Sequence, residues 1–530
     1  MLPTLLFIGF VTVACVLTNR LASKLPVPSL LIFIGIGMLL GENGPAGIAF
    51  SDFRLTESIC NVALLFIMFY GGFNTNLDRA RPVAVQAVLL STVGVAATMG
   101  AVGVFAHLAL GMDWLHAMLV GAVISSTDAA SVFNVLREHR LSLKGGADSL
   151  LEIESGSNDP LSYLLTVVFC TLLTAGQISV PAMLASQIAI GAGCGLALGW
   201  LAALVLDRVR IDMAQGETIL LFATAIIAYA APGLLGGNGF LSVYLAGIVL
   251  GASDIPAKQS MAHFFDILTE IAQMTVFFIL GMLVTPARLP EVMGPAFAIV
   301  AFLTFVGRPV VVGLLLAPFR SSLARTALIS WAGLRGAAST VFALVAITMG
   351  VSGARDIFDL VFVIVIVSLM VQGSLMPAVA RRLDMVDGSG NVMTTFNDFQ
   401  NNSALSFIKL KIGAEHPFVG KTLAQIRTME SLLVVLILHD EAHAVLPDGQ
   451  TRIQAGDLLV LAAPTFEERA DVSIREIPIG EHHRWANRRL RDLSEDKRFL
   501  VAMIERDGAS IIPNGDTQIL PGDTAIVATL

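Results

Sequence analysis

Long apolar segments fill the first three quarters of this 530-residue sequence and restrict its fold more than any other feature. Hydrophobic residues make up 55% of the chain and charged residues only 14%, at a mean hydropathy of +0.77. Segments of this length cross bilayers, where helices satisfy their own backbone hydrogen bonds. The pattern predicts about thirteen helical spans. They lie near residues 4–22, 26–41, 55–74, 82–109, 115–137, 147–175, 181–206, 217–232, 237–253, 261–285, 294–317, 324–350 and 355–383.

Basic residues in the connecting loops predict how these spans are oriented. Loops after odd-numbered spans contain fourteen Lys or Arg residues, whereas loops after even-numbered spans contain three. Because basic loops tend to stay in the cytoplasm, the N-terminus is expected outside and the C-terminus in the cytoplasm. No basic residue precedes the segment Leu2–Leu17, and no small-residue cleavage site lies between it and the basic residues Arg20 and Lys24. We therefore interpret it as the first span and not as a signal peptide.

Composition and pattern change near residue 398. Residues 1–397 contain 41 charged positions, whereas the 133 residues from 398 to 530 contain 33, as in a soluble domain. Short alternating strands replace the apolar blocks, and residues 446–464 are repeated as residues 512–530. A repeat of this length indicates two copies of one small unit. We predict a membrane domain (1–385), a linker (386–403) and two related αβ modules (404–470 and 471–530), together called the tail.

Several functional classes find little support in the sequence. The four cysteines lie in apolar segments at spacings unlike those of a metal site or a disulfide framework, so buried free thiols are expected. The net charge of −8 gives no sign of nucleic-acid binding. The GAGCG segment follows no strand and suits helix packing better than a nucleotide loop. We expect neither enzymatic activity nor a bound cofactor.

Polar residues interrupt the sixth span in the motif ESGSNDP. Ser155 and Asp159 share one helix face, and Glu154 and Asn158 form the neighbouring row. Asp159 and Asp128 of the fifth span both fall about halfway across the bilayer. A buried carboxylate is costly unless it has a partner, a proton or an ion. These residues therefore predict one ion site, with purely structural pairing as the alternative.

The run SSTD, which ends at Asp128, predicts a helix break in the fifth span. Ser, Thr and Asp compete for backbone hydrogen bonds, and a broken helix offers carbonyls to a cation. Glu154 requires a positive partner, and we predict an ion pair with Arg335, the more central of two arginines inside spans. Arg308 is the other, and it also needs an explanation. The pair leaves Asp159 as the titratable acid, for which proton and cation compete.

These motifs resemble a known family. Thr127-Asp128, ESGSNDP and the GLRGA segment around Arg335 are similar, in order and spacing, to the cation/proton antiporter-1 family of NhaP-type bacterial antiporters and animal sodium/proton exchangers. FVGRPVVV and VQGSLMPAVARRL resemble its eleventh and thirteenth spans. The tail from about residue 405 to 465 resembles the C-terminal RCK-C (TrkA-C) module of potassium-conductance regulators. This combination is similar to the potassium/proton antiporter subgroup.

The resemblance implies an all-α polytopic membrane protein with inverted six-helix repeats, broken crossing helices in the fifth and twelfth spans, and cytoplasmic α+β modules. It implies a homodimer in the bacterial inner membrane that exchanges cytoplasmic K⁺, or Na⁺, for H⁺ by alternating access. Asp159 would bind the ion and the proton, with Ser155 and the Thr127 carbonyl as further ligands. Asp128 would cap the helix break. Asn158 beside Asp159 goes with electroneutral exchange.

Two departures from the family pattern leave the cation preference open. Some relatives carry an acid in the third span, where this sequence reads FYGGFNTN, and Gly156 and Ser157 replace the usual apolar residues of the sixth-span motif. The tail lacks a Gly-rich nucleotide fold, so dinucleotide binding is not expected and any regulatory ligand is unidentified. Alternative functions are Na⁺/H⁺ exchange on the same fold, a gated cation channel, and a membrane receptor with a sensing tail.

Overall fold

The computed structural model divides the chain into two compact units, Met1–Gly388 and Ser389–Leu530. It describes residues 9, 13, 29–42, 44–48, 50–75, 81–128, 131–132, 136, 141, 143–176, 179–209, 215–253, 255, 258–386, 405–413, 418–425, 433–438, 444–445, 447–464, 473–480, 485–492, 499–506, 509–511, 513 and 515–529. The predicted first span lies almost entirely outside these residues.

Helices make up most of the described part of the first unit, and they follow the predicted spans. Among the residues described, eight helices are long and apolar enough to cross a membrane. They are Phe53–Phe73, Ala84–Leu110, Lys144–Ala175, Val180–Arg208, Gly216–Leu234, Met261–Leu283, Pro286–Phe319 and Ala354–Arg382. Shorter helices, the first four of them apolar, are Leu30–Leu40, Trp114–Val123, Gly239–Ala252, Ala337–Thr348 and Leu323–Trp331. Together they account for predicted spans two to thirteen, and the predicted fold class is confirmed.

The fifth and twelfth spans are interrupted where the sequence predicts broken helices. The fifth-span helix ends at Val123, and residues 124–128 are not helical. The twelfth span consists of Leu323–Trp331 and Ala337–Thr348, separated by the non-helical residues 332–336. The two breaks meet, because the Asp128 N–H donates to the Leu334 carbonyl at 2.9 Å. Each break thereby satisfies backbone groups that the other leaves open.

Asn238 begins the ninth span and ties it to the sixth. Its side-chain oxygen accepts from the Leu241 N–H at 3.0 Å, as a helix N-cap does. Its side-chain nitrogen donates to the Pro160 carbonyl at 2.8 Å. One buried amide therefore sets both the start of the ninth span and its position beside the helix that carries Asp159.

Glycines allow several helices to approach backbone to backbone. In the seventh span, a Cβ added to Gly195 would lie 2.8 Å from the Ser242 Cα of the ninth span. In the third span, a Cβ added to Gly72 would lie 3.0 Å from the Ile248 backbone nitrogen. Small residues permit such close packing in membranes, where no hydrophobic force distinguishes protein from lipid. The GAGCG segment therefore belongs to a helix–helix contact, as predicted.

The two modules of the tail share one strand order. In the first, β1 (Leu405–Lys411), β2 (Leu433–Leu438), β3 (Ala444–Val445) and β4 (Leu458–Pro464) form an antiparallel sheet in the order β1-β4-β2-β3. In the second, β5 (Ser473–Pro478), β6 (Phe499–Arg506), β7 (Ala509–Ile511) and β8 (Thr524–Thr529) form a sheet in the order β5-β8-β6-β7. The sequence repeat is thus a repeat of structure.

A buried aspartate closes the turn before the last strand of each module. Asp457 accepts from the Gln454 N–H and Asp523 from the Leu520 N–H, each at 2.7 Å. Arg506 also donates to both carboxylate oxygens of Asp523, at 2.7 and 2.8 Å. This bidentate contact holds the pKa of Asp523 below its usual range.

The contact between the seventh and ninth spans should depend on Gly195. We expect Gly195→Ala to lower the free energy of unfolding by about 1–3 kcal/mol, because the new methyl group overlaps the Ser242 backbone. Gly193→Ala on the same helix is the control, since nothing lies within 4 Å of a Cβ there. Melting temperatures in detergent compare the two variants. Equal melting temperatures would contradict the close approach.

Candidate functional site

The proposed ion site is built around Asp159 on the sixth span. This carboxylate is half-buried, and it accepts a short hydrogen bond from the Ser126 hydroxyl in the broken part of the fifth span. Ser126 itself is buried. The structure therefore brings the predicted acid to the predicted helix break. Ser126 belongs to the SSTD run, but nothing in the sequence distinguishes it from its neighbours as a partner of Asp159.

Asn158 and Ser155 hold Thr127 from the opposite helix. The Asn158 amide nitrogen donates to Thr127 Oγ1 at 2.6 Å, and its oxygen accepts from the Thr127 N–H at 3.3 Å. Ser155 Oγ donates to the Thr127 carbonyl at 2.5 Å. All three residues are buried. The predicted ligands thus lie together in one place, and Asn158 uses both ends of its amide to fix the backbone beside Asp159.

Asp128 lies at the crossing of the two breaks. Its carboxylate accepts from the Ser131 N–H at 3.1 Å and from the Ser131 hydroxyl at 2.6 Å, which is the geometry of an N-cap. Gly336 packs directly against this carboxylate, since an added Cβ would overlap it. Asp128 thus has the position of an N-cap before the helical residues Ser131 and Val132, and the twelfth span leaves room for its carboxylate because Gly336 has no side chain.

Arg335 binds the open carbonyls of the fifth span and not Glu154. It is fully buried, and its guanidinium donates to the carbonyls of Ser125 and Ser126 at 3.0 and 2.5 Å. Its own N–H donates to Ser368 Oγ at 3.0 Å. A helix break leaves carbonyls without their helical donors, and a nearby arginine supplies several donors in a fixed geometry. Arg335 therefore stabilises the break itself.

The ion-pair partner of Glu154 is Arg308, so the predicted Glu154–Arg335 pair is wrong. Arg308 Nη2 lies 2.7 Å from Glu154 Oε1, and both side chains are buried. The prediction chose the more central arginine by its depth along the span, but depth does not show which helix lies opposite. The sequence did contain one sign of the true partner, because Arg308 is the other arginine inside a predicted span.

A chain of buried hydrogen bonds continues from the Arg335 backbone N–H through Ser368 to Gln372 and Thr304. Gln372 accepts from Ser368 Oγ at 2.6 Å and donates to Thr304 Oγ1 at 3.1 Å. Thr304 and Gln372 lie in π-helical turns, Leu303–Gly307 and Leu369–Gly373. Such turns widen a helix and often occur at functional sites. Sequence reasoning missed all three residues, because single polar residues in apolar helices do not show which partner they reach.

Comparison of the sequence with models of known protein families identifies the family of this chain. Residues 10–382 match the family model described as sodium/hydrogen exchanger, transmembrane. The chain belongs to the sodium/hydrogen exchanger family. The TrkA-C domain model matches residues 407–465 and 474–530, and so covers both tail modules of this exchanger-family chain. The predicted family and the TrkA-C module are confirmed.

Two named relatives and one solved structure are similar to this chain over most of its length. It is 34% identical over 460 residues to a K(+)/H(+) antiporter NhaP2 of Shewanella baltica, covering 85% of this chain and 79% of the relative. It is 35% identical over 424 residues to a K(+)/H(+) antiporter NhaP of Alkalimonas amylolytica, covering 79% and 74%. The sodium proton antiporter MjNhaP1 of Methanocaldococcus jannaschii matches with a TM-score of 0.64 at 21% identity, covering 72% of this chain and 99% of that one. At this identity, the similarity to MjNhaP1 shows a shared fold and carries no conclusion about function.

The revised ion pair yields a double-mutant test. We expect Arg308→Ala to lower the free energy of unfolding by about 3–5 kcal/mol, because it leaves the Glu154 carboxylate buried without its cation. In a Glu154→Gln background the same change should cost much less. Arg335→Ala should cost a similar amount in both backgrounds, since its hydrogen bonds go to carbonyls. Thermal unfolding of the six proteins measures both couplings, and a larger coupling of Glu154 to Arg335 would contradict the assignment.

Proposed function

We propose that this protein is a secondary antiporter that exchanges cytoplasmic K⁺ for H⁺ by alternating access. The observation that carries the proposal is the half-buried Asp159 carboxylate beside the helix break of the fifth span, which supplies a hydroxyl donor to it. Carboxylate, hydroxyl and carbonyl oxygens are suitable ligands for a hard monovalent cation. A carboxylate that binds a cation must first release its proton, so one group serves both ions.

The two buried arginines near the site have other partners, so the Asp159 carboxylate is available to bind a cation or a proton. Arg308 neutralises Glu154, and the Arg335 guanidinium points to backbone carbonyls. Neither arginine donates to Asp159 in any hydrogen bond that the structure describes. The positive charge that neutralises the Asp159 carboxylate is therefore a bound cation or a proton. We propose that transport needs no covalent step and no resident cofactor.

Potassium as the transported cation is supported by two relatives that are named K(+)/H(+) antiporters. A more distant relative from Aphanothece halophytica, 24% identical over 425 residues, is named a Na(+)/H(+) antiporter. Proton flux in everted vesicles, driven in turn by K⁺, Na⁺ and Rb⁺, separates the two alternatives. A response to Na⁺ alone would replace potassium exchange with sodium exchange on the same fold.

Asp159 should be indispensable for exchange. We expect Asp159→Asn to abolish cation-driven proton flux while the protein still folds, because the variant can neither release a proton nor attract a cation. Asp148→Asn is the matched control, since Asp148 lies in the first turn of the same helix and caps the Ser149 N–H at 2.8 Å. Transport by a well-folded Asp159→Asn protein would disprove the mechanism.

We further propose that one proton is exchanged for one cation. The residue beside Asp159 is the neutral Asn158, whose amide is engaged by Thr127. An electrogenic cycle would respond strongly to voltage, because moving one charge across 100 mV is worth about 2.3 kcal/mol. Exchange in proteoliposomes should therefore be the same with and without a valinomycin-imposed potential. A marked dependence on the potential would exclude this stoichiometry.

We also propose a homodimer in the bacterial inner membrane, with the N-terminus outside and the tail in the cytoplasm. The excess of basic residues in loops after odd-numbered spans supports this orientation. Site-directed labelling of single cysteines in opposite loops tests the orientation. Mass measurement in native membranes tests the dimer.

The tail is proposed to tune transport without supplying ion ligands. Its two modules match the TrkA-C domain, and a polar segment rich in Gly, Ser and Asn connects them to the last span. Tethering keeps the modules at high effective concentration near the membrane domain, where weak binding biases its conformations. We expect truncation after residue 385 to preserve exchange but shift its pH profile. An unchanged profile would make the tail a passive appendage.

A further inference from the structure

Tyr244 of the ninth span covers the face of the sixth span that carries Asp159. Its side chain is buried, and its ring lies against Gly156, where an added Cβ would come within 2.7 Å of the ring edge. Gly156 is three residues before Asp159 and four after Glu152, so all three share one helix face. The phenol therefore lies between the levels of the two acids along the sixth span.

The hydrogen bonds of the Tyr244 hydroxyl leave its oxygen able to bind a cation. The Ser157 hydroxyl donates to this oxygen at 3.1 Å. Among the hydrogen bonds that the structure describes, this phenol oxygen uses one lone pair to accept from Ser157, and its second lone pair takes part in none of them.

A second neutral oxygen lies in the same region of the sixth span. Pro160 has no N–H, so the Gly156 carbonyl four residues earlier lacks its donor within the helix. Tyr244 packs on Gly156 itself. The phenolic oxygen lies 3.1 Å from the position of a Cβ added at Gly156, so it and the Gly156 carbonyl both lie about one helical turn before Asp159. Both are dipoles without a net charge.

We propose that Tyr244 is a specificity-determining residue, whose neutral oxygen favours K⁺ over Na⁺ on the way to Asp159. A site with few full charges compensates only part of the cost of removing water from an ion. That cost is larger for the smaller Na⁺ ion, so weak-field oxygens favour the larger cation. The inference rests on the proposed function, and it assigns the choice of cation to a residue outside the crossing of the two helix breaks.

Tyr244→Phe tests this role, because it removes the oxygen and keeps the ring over Gly156. We expect the KM for K⁺ to rise about three- to tenfold, the effect of losing one neutral oxygen contact, with a smaller change in the KM for Na⁺. The maximum rate should stay close to that of the parent. Tyr229→Phe removes a phenol that packs against Phe240, and it should change neither KM. The assay is proton flux in proteoliposomes with K⁺, Na⁺ and Rb⁺.

Gly156→Ala provides an independent test that removes no hydroxyl. The new methyl group must displace the Tyr244 ring, so the ratio of the two KM values should shift toward Na⁺ as in Tyr244→Phe. If the parent shows no cation-driven proton flux, the proposed function fails. If the parent transports K⁺, and folded Tyr244→Phe or Gly156→Ala keeps the parent's ratio of the KM values for K⁺ and Na⁺, this inference fails. Tyr244 then only fills space.

Discussion

The fold of the membrane unit depends on the crossing of two broken helices. A break in apolar surroundings exposes carbonyls and N–H groups that water cannot reach, so protein groups must satisfy them. Arg335 supplies donors to the carbonyls of the fifth span, and the Asp128 N–H donates to the Leu334 carbonyl. Gly336 permits this approach because it has no side chain. Asp159, Asn158 and Ser155 of the sixth span all form hydrogen bonds with Ser126 or Thr127 in the broken part of the fifth span.

Function follows from how charge is distributed around the crossing. Buried ion pairs add little net stability, but breaking one leaves an uncompensated charge. Glu154 and Arg308 neutralise each other, while Arg335 is held by backbone oxygens and by Ser368. The half-buried Asp159 accepts from the Ser126 hydroxyl, and the neighbouring Asn158 holds the Thr127 backbone in place. A group in this position can exchange a proton for a cation without disturbing the charges that stabilise the fold.

Much of this arrangement could be predicted from the sequence, because membrane spans and buried acids leave strong local signals. Span positions and the broken fifth span depend on residues close together along the chain, and the tail repeat is visible in the sequence itself. The grouping of Thr127 with Asn158 and Asp159 could be predicted because consecutive spans tend to be neighbours. The partner of Glu154 could not be predicted, because it depends on which distant helix lies opposite. The contact between Tyr244 and Gly156 was hidden for the same reason: a tyrosine in an apolar helix does not show which face it covers.

The central claim is that proton and cation compete for one carboxylate. It is tested most directly by the KM for K⁺, measured in proteoliposomes at a series of pH values on the side from which K⁺ binds. Competition predicts that KM rises about tenfold for each unit of acidification over the range in which Asp159 is protonated, with an unchanged maximum rate. A maximum rate that falls on acidification while KM stays constant would show that the two ions bind at different groups, and would contradict the account.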